Sequence, residues 1–171
     1  MKELKIASRE DLENLINVVE FNTEEEKYWN ELEQKRDNQY QKKDYPNFIN
    51  FYRQELKALD AKGKLFLGRV AIERRLKYAL ANAYEGSATI SLKENEPLKR
   101  AEMFEKAVFW YQAADEMVGF YTDYVLRQSE SCRGAASCRL KAGLDDEITQ
   151  AYYLRSFALI KAVIPNAVIS F

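Results

Sequence analysis

Apolar residues return at helical spacing along most of this chain, and strictly alternating runs are nearly missing, Ala88-x-Ile90-x-Leu92 being the one short example. That pattern predicts helices and no sheet of three or more strands. Ser8 followed by Asp11 reads as a capping-box-like start, after which Leu12, Leu15, Ile16 and Val19 mark one helical face. Thr23 with Glu26 repeats the signature and predicts a second, polar helix over Glu24–Lys43, acidic in its first turn and ending on Lys42 and Lys43 as the helix dipole favours. Its large apolar groups are Tyr28, Trp29, Leu32 and Tyr40, too few for a buried element, so a surface position is expected.

Pro46 suits a first helical position and Gly63 a left-handed stop, with Phe48, Ile49, Phe51, Tyr52, Leu56 and Leu59 forming a broad apolar face between them. A helix over Leu65–Glu85 follows, with Arg69 inside its apolar stripe and Glu73 one turn on. Ser87–Glu96 reads as a long loop separating two halves of the chain. Pro97 then restarts a helix, Gly119 bends or ends it, and two shorter helices are expected over Phe120–Ser129 and Ala135–Ala142. Asp145 is the expected cap of a last helix that Pro165 ends, before an apolar tail through Phe171.

The segments Pro97–Val118 and Asp145–Ile164 are apolar almost all the way round, which places a helix inside a bundle rather than on its surface. Each nonetheless carries a charge in its apolar arc, Asp115 in one and Arg155 in the other. A lone buried ion is costly, so each is expected within reach of an opposite charge or several polar groups, in a buried network with Arg69 and Glu73 or around a polar pocket. The fold class that follows is all-α: a single domain over residues 1–171, a helical bundle of about six to eight helices, with stacked antiparallel hairpins as one arrangement.

Two spacings refine that arrangement. Leu80-Ala81-x-x-Tyr84 resembles part of the first helix of a tetratricopeptide hairpin, and Ala107-x-x-x-Tyr111-x-x-Ala114 resembles its second. The resemblance implies helices brought close by small residues, with tyrosines filling the gap, and an adaptor or chaperone that holds a peptide in a groove lined by Tyr84, Trp110 and Tyr111.

Composition removes most chemistry. The chain has 171 residues and no histidine, so the usual base of a nucleophile triad and the commonest metal ligand are both missing. Neither a GxxxxGK[ST] nor a GxGxxG run occurs, and Glu24, Glu25 and Glu26 are consecutive, so they fan around a helix rather than converge on a metal. No enzyme, cofactor or metal site is expected. Cys132 and Cys138 lie about 120° apart on a continuous helix and are read as reduced thiols. Met1–Ser8 is charged, with no apolar run of a signal peptide, and no stretch approaches a membrane span, giving a cytoplasmic, non-membrane expectation.

Net charge is −1, but residues 1–37 carry 11 acidic and 6 basic side chains, whereas residues 38–81 carry 10 basic and 4 acidic. The basic, aromatic stretch Tyr40–Lys77 has the composition of a nucleic-acid surface. The favoured expectation is a non-catalytic protein-binding antagonist, such as a toxin immunity protein or a phage-encoded inhibitor of a host defence protein. The tetratricopeptide-like adaptor comes second and a nucleic-acid-binding regulator third. Partner-binding candidates are Tyr28, Trp29, Glu25, Glu33, Lys42 and Lys43, together with Phe109, an aromatic ring among charged neighbours on its helix.

Overall fold

The computed structural model describes residues 9–61, 68–117 and 122–166, with side chains from Glu24 onward. Six α-helices follow in order: α1 (Arg9–Gln39), α2 (Tyr45–Ala61), α3 (Arg69–Gly86), α4 (Pro97–Asp115), α5 (Thr122–Lys141) and α6 (Glu147–Val163). No strand occurs among the described residues. Each helix from α2 to α6 packs against the next, antiparallel to it. Cross-links at the two ends of α2–α3 and of α5–α6 fix that direction for those pairs. Tyr45 meets Gly86 while Asp60 bonds Arg69, and Arg139 bonds Thr149 while Ser129 bonds Ser156.

Three expected boundaries move. The helix does not restart at Thr23, because α1 runs unbroken through it; Ser8 and Gly63 lie outside the described residues. The start of the long loop is helical, for α3 passes directly into a π-helical turn at Ser87–Ser91, which absorbs the alternating Ala88 to Ser91 stretch. Ala88 is fully buried there, and its carbonyl accepts from Arg100 Nε at 2.8 Å, tying the turn to α4. The two short helices expected around Ser129 and Ala135 are one, α5. Gly134 does not break it but makes room, since a Cβ at that position would lie 2.7 Å from the Phe104 ring.

The cap of α6 is Asp146 rather than Asp145. Its backbone is extended (φ −115°, ψ 176°) and its Oδ1 accepts from the Thr149 N–H at 2.9 Å. That N–H bond, helped by Arg139, holds the Asp146 carboxyl below its ordinary pKa. Arg139 also donates to Glu105 at 3.2 Å, so one guanidinium joins α4, α5 and the start of α6.

The main core lies among α1, α2, α3 and α4. Trp29 and Leu32 enter from α1, Phe51, Tyr52 and Leu59 from α2, and Ile72, Leu76 and Leu80 from α3. Each such side chain contributes about 1.5–3 kcal/mol by leaving water. Leu80, Ala81, Tyr84, Ala107, Tyr111 and Ala114, which carry the tetratricopeptide-like spacings, are all buried. Tyr84 and Tyr111 therefore fill the interior and do not line an open groove. A smaller core joins Ala88, Ala101, Phe104, Ala135 and Cys138.

Two placements reverse the expectation. α4, flanked by α3 and α5, is interior as its composition suggests. α6 is not: it packs on α5, and its buried residues are the small Thr149 and Ser156. Conversely the polar half of α1 buries Trp29, 9% exposed, because Arg75 from α3 lies 4.6 Å over its ring and supplies a lid.

Candidate binding surfaces

Glu25, Trp29, Glu33, Lys42 and Lys43, spread over nineteen positions, come together along one cleft of about 770 Å³ between α1, α2 and α3. Helical spacing explains the α1 contribution, since Glu25, Trp29, Glu33 and Arg36 recur one turn apart. On α3, Arg75, Tyr78, Ala79, Asn82 and Ala83 share one face, and the two alanines leave the space that the cleft occupies.

Charges in the cleft are sorted. Arg75 Nη1 donates to Glu26 at 2.8 Å and to Glu25 at 3.3 Å, while Arg36 pairs with Asp37 at 2.7 Å and approaches Glu33 at 3.9 Å. Arg36 also donates to the Tyr52 hydroxyl at 2.6 Å. Four carboxylates are thereby committed to two arginines. Lys42 and Lys43 have no such partner among the described residues. They sit in the turn between α1 and α2, closed by the Asp44 N–H on the Gln41 carbonyl at 3.2 Å, with Lys43 in the left-handed region at φ 63°.

Aromatic rings form the walls. Tyr45 and Tyr78 are half-buried, and Tyr78 stacks on Tyr124 at 4.5 Å. Burial and its hydrogen bond to Asp123 push the Tyr78 hydroxyl up to about 12, so it stays protonated as a donor. Behind this wall the buried Tyr111 hydroxyl lies against Asn82 Oδ1 and 2.8 Å from Glu85 Oε2. Burial first, then the Glu85 charge, raises its pKa, and with one proton to give it serves the carboxylate, the stronger acceptor.

A second concavity, about 930 Å³, runs between α5 and α6 and has the opposite character. Arg133, Ser137 and Leu140 face it from α5, and Gln150, Tyr153, Leu154 and Phe157 from α6, at one-turn spacing on each helix. Arg133 is the single charged residue of the lining. Leu154 is 72% exposed and Leu140 40%. Sequence reasoning missed these residues because it placed α6 inside; the signal was the apolar surplus of α6, more than one packed face can bury.

Of the other candidates, Tyr28 is half-buried against the main core, where burial and then Glu55 raise its pKa. Phe109 is 61% exposed on α4, edge-on to Trp110 at 5.2 Å. The charges expected in one buried network fall at separate places and none is fully buried, although Arg69 approaches Glu73 at 4.0 Å. Arg69 bonds Asp60 at 2.8 Å and Glu73 holds Lys77 at 2.9 Å. Arg155 reaches across to the side-chain oxygens of Gln112 and, at 3.5 Å, Gln128, so amides rather than a carboxylate satisfy it. Asp115 is the half-buried last residue of α4.

Cys132 and Cys138 are free and buried, and burial pushes the Cys132 thiol up to about 11, which keeps it unreactive. No cluster of three metal-ligating side chains occurs among the described residues, and no described helix is long and apolar enough to cross a membrane. No protein-family model, curated protein or solved structure matches the chain.

Proposed function

We propose that the protein acts without chemistry of its own, by binding another protein, and that the α5–α6 groove receives an amphipathic helix of that partner. The observation that carries this is Leu154, 72% exposed at the centre of a stripe of large side chains. Contiguous exposed apolar surface of this kind marks interaction sites. Two antiparallel helices form a trough whose ridges and grooves suit a third helix, read by anchors one turn apart.

The lining has one cation and no carboxylate, so an occupant carrying an acidic residue opposite Arg133 is favoured. An antagonist, whether a toxin immunity protein or a phage-encoded inhibitor of a host defence protein, needs only this: a stable scaffold and a surface that occupies its target.

The test is to isolate the stoichiometric partner from the native cell and map hydrogen exchange in the purified complex. Protection is expected over 133–141 and 150–157. Leu154→Asp should weaken the complex at least about 30-fold, the scale of an interface hot spot, with the fold intact. Protection confined to the α1–α3 cleft, with Leu154→Asp silent, overturns the assignment to the groove.

A further inference from the structure

The α1–α3 cleft is polar, walled by rings and of small-molecule size, and it lies on helices other than those of the α5–α6 groove. We propose that it is a binding site for a nucleoside 5′-phosphate. Its volume of about 770 Å³ falls in the range of pockets that enclose ligands of that size.

Three features specify the ligand. The first is charge. With Glu25 and Glu26 held by Arg75, and Asp37 by Arg36, the cations left without a carboxylate are Lys42 and Lys43. Two ammonium groups match the charge of one phosphate monoester, roughly −1.5 to −2 at neutral pH. Both come from a turn that strains Lys43 into a left-handed conformation, and such strain is characteristic of residues held in place for a ligand.

The second is the ring walls. Tyr45 follows the lysines by two residues, and Tyr78, one face of which stacks on Tyr124, lines the cleft from α3; both are half-buried, and the small Ala79 and Ala83 line it beside them. A planar base entering there gains stacking contacts of about 1–3 kcal/mol. The third is Asn82, an exposed carboxamide on that face, whose Oδ1 lies against the Tyr111 hydroxyl and whose amide N–H group is able to donate a hydrogen bond at a base edge. Phosphate alone would leave the rings and Asn82 unused, and an uncharged nucleoside would leave the lysines unused.

The chain has two tryptophans, so Trp110→Phe leaves Trp29, which lines the cleft, as the only indole reporter. The probes are AMP, GMP, CMP and UMP, the four nucleosides, inorganic phosphate and a single-stranded ten-nucleotide RNA. At least one nucleotide should change Trp29 emission with a Kd below about 1 mM, and its nucleoside and inorganic phosphate should each bind at least ten times more weakly. Replacing both lysines by glutamine should cost a further ten-fold, while Arg133→Gln in the distant groove changes nothing.

Calorimetry on the unsubstituted chain repeats the measurement independently of the reporter. Three results overturn the proposal: no nucleotide binding by either method, inorganic phosphate binding as tightly as every nucleotide, or the RNA binding more than a hundred times tighter than any mononucleotide. The last would make the cleft part of a nucleic-acid track.

Discussion

α1 and α6 are the two outer helices of this array, and they invert the usual relation between composition and burial. α1, rich in charge, puts Trp29 and Leu32 into the main core, and its Glu25, Glu26, Glu33, Arg36 and Asp37 line a cleft in which most charges are paired. α6 is largely apolar yet buries two hydroxyl residues, because Ser129 and Ser156, with oxygens 2.8 Å apart, let it lie close on α5, while Tyr152 packs on the smaller core and Ile148 and Leu154 stay exposed. Burial is decided by how many neighbours a helix has, not by its own composition. A polar helix can hold core residues where two helices face it, and an apolar one packed mainly on a single helix must leave part of itself uncovered. The uncovered part is where a partner gains most.

The contrast breaks most sharply on one pair of substitutions. Trp29→Ala removes a core ring and is expected to destabilise by about 3–5 kcal/mol. Leu154→Ala removes an exposed side chain and should change stability by less than about 0.5 kcal/mol. Urea denaturation of both variants decides it; comparable losses would mean that α6 is core and that the groove is closed in solution.

Next in size is Gly134→Ala. The added Cβ meets the Phe104 ring at 2.7 Å, and both helices are held by the Arg139 links, so about 1–3 kcal/mol should be lost. Adding Phe104→Leu should return part of that loss, because the clash is with the ring itself. Calorimetric melting of the single and double variants measures the coupling; two losses that simply add would place the strain elsewhere.

Much of this fold was legible from spacing. Periodicity gave the all-α class and four of the six helices as single bodies, with α1 and α5 each split in two, and Pro97 marked the start of α4 correctly. What spacing could not carry was tertiary. Thr23 and Glu26 form a good capping signature, but a local signature does not stop a helix when no competing turn chemistry follows. Gly134 reads as a breaker in one dimension and proves to be the contact that admits Phe104. Among the site residues, Lys42, Lys43, Glu25 and Glu33 were singled out for charge, yet their sharing a cleft with Tyr78 and Asn82 depends on α3 crossing α1, about fifty residues away in sequence. The apolar arc around Arg155 and Asp115 predicts buried charges; α6 packs mainly on α5 and leaves Arg155 half-buried against the amides of Gln112 and Gln128, and helix α4 ends at Asp115.

Alkaline pH probes both regions with opposite sides of the bundle as reporters. Burial raises the Cys132 thiol, on α5 beneath α6, to about 11, and burial with Asp123 raises Tyr78, in the cleft wall, to about 12. Each group is neutral when protonated, and the folded state holds its proton more tightly than the unfolded chain. Their contribution to stability is therefore complete below the unfolded values near 9 and 10 and disappears as pH rises through the folded ones. Melting temperature should be flat from pH 7 to 8.5 and fall between 9 and 12, and Cys132→Ala should shallow the first part of that fall. A thiol reagent at pH 8 should modify Cys132 only on unfolding. Rapid labelling of the native protein would mean that α6 lifts from α5 readily.

The smallest expected effect separates stability from binding at a single residue. Lys43 occupies a left-handed turn position, φ 63°, that a side chain adopts at a cost of about 1–2 kcal/mol and glycine adopts freely. Glycine also has more backbone freedom to lose on folding, which offsets about 0.5–1 kcal/mol of the gain. Lys43→Gly should therefore stabilise the protein by about 0.5 kcal/mol, while the cleft loses one of its two unpaired cations and its affinity for a nucleotide falls. Lys42→Gly, at a neighbouring position with ordinary φ, removes the same charge and should bring no gain in stability. Urea denaturation measures both variants side by side. Equal stability of the two would show that the turn carries no strain, leaving the lysine charges alone to support the cleft as an anion site.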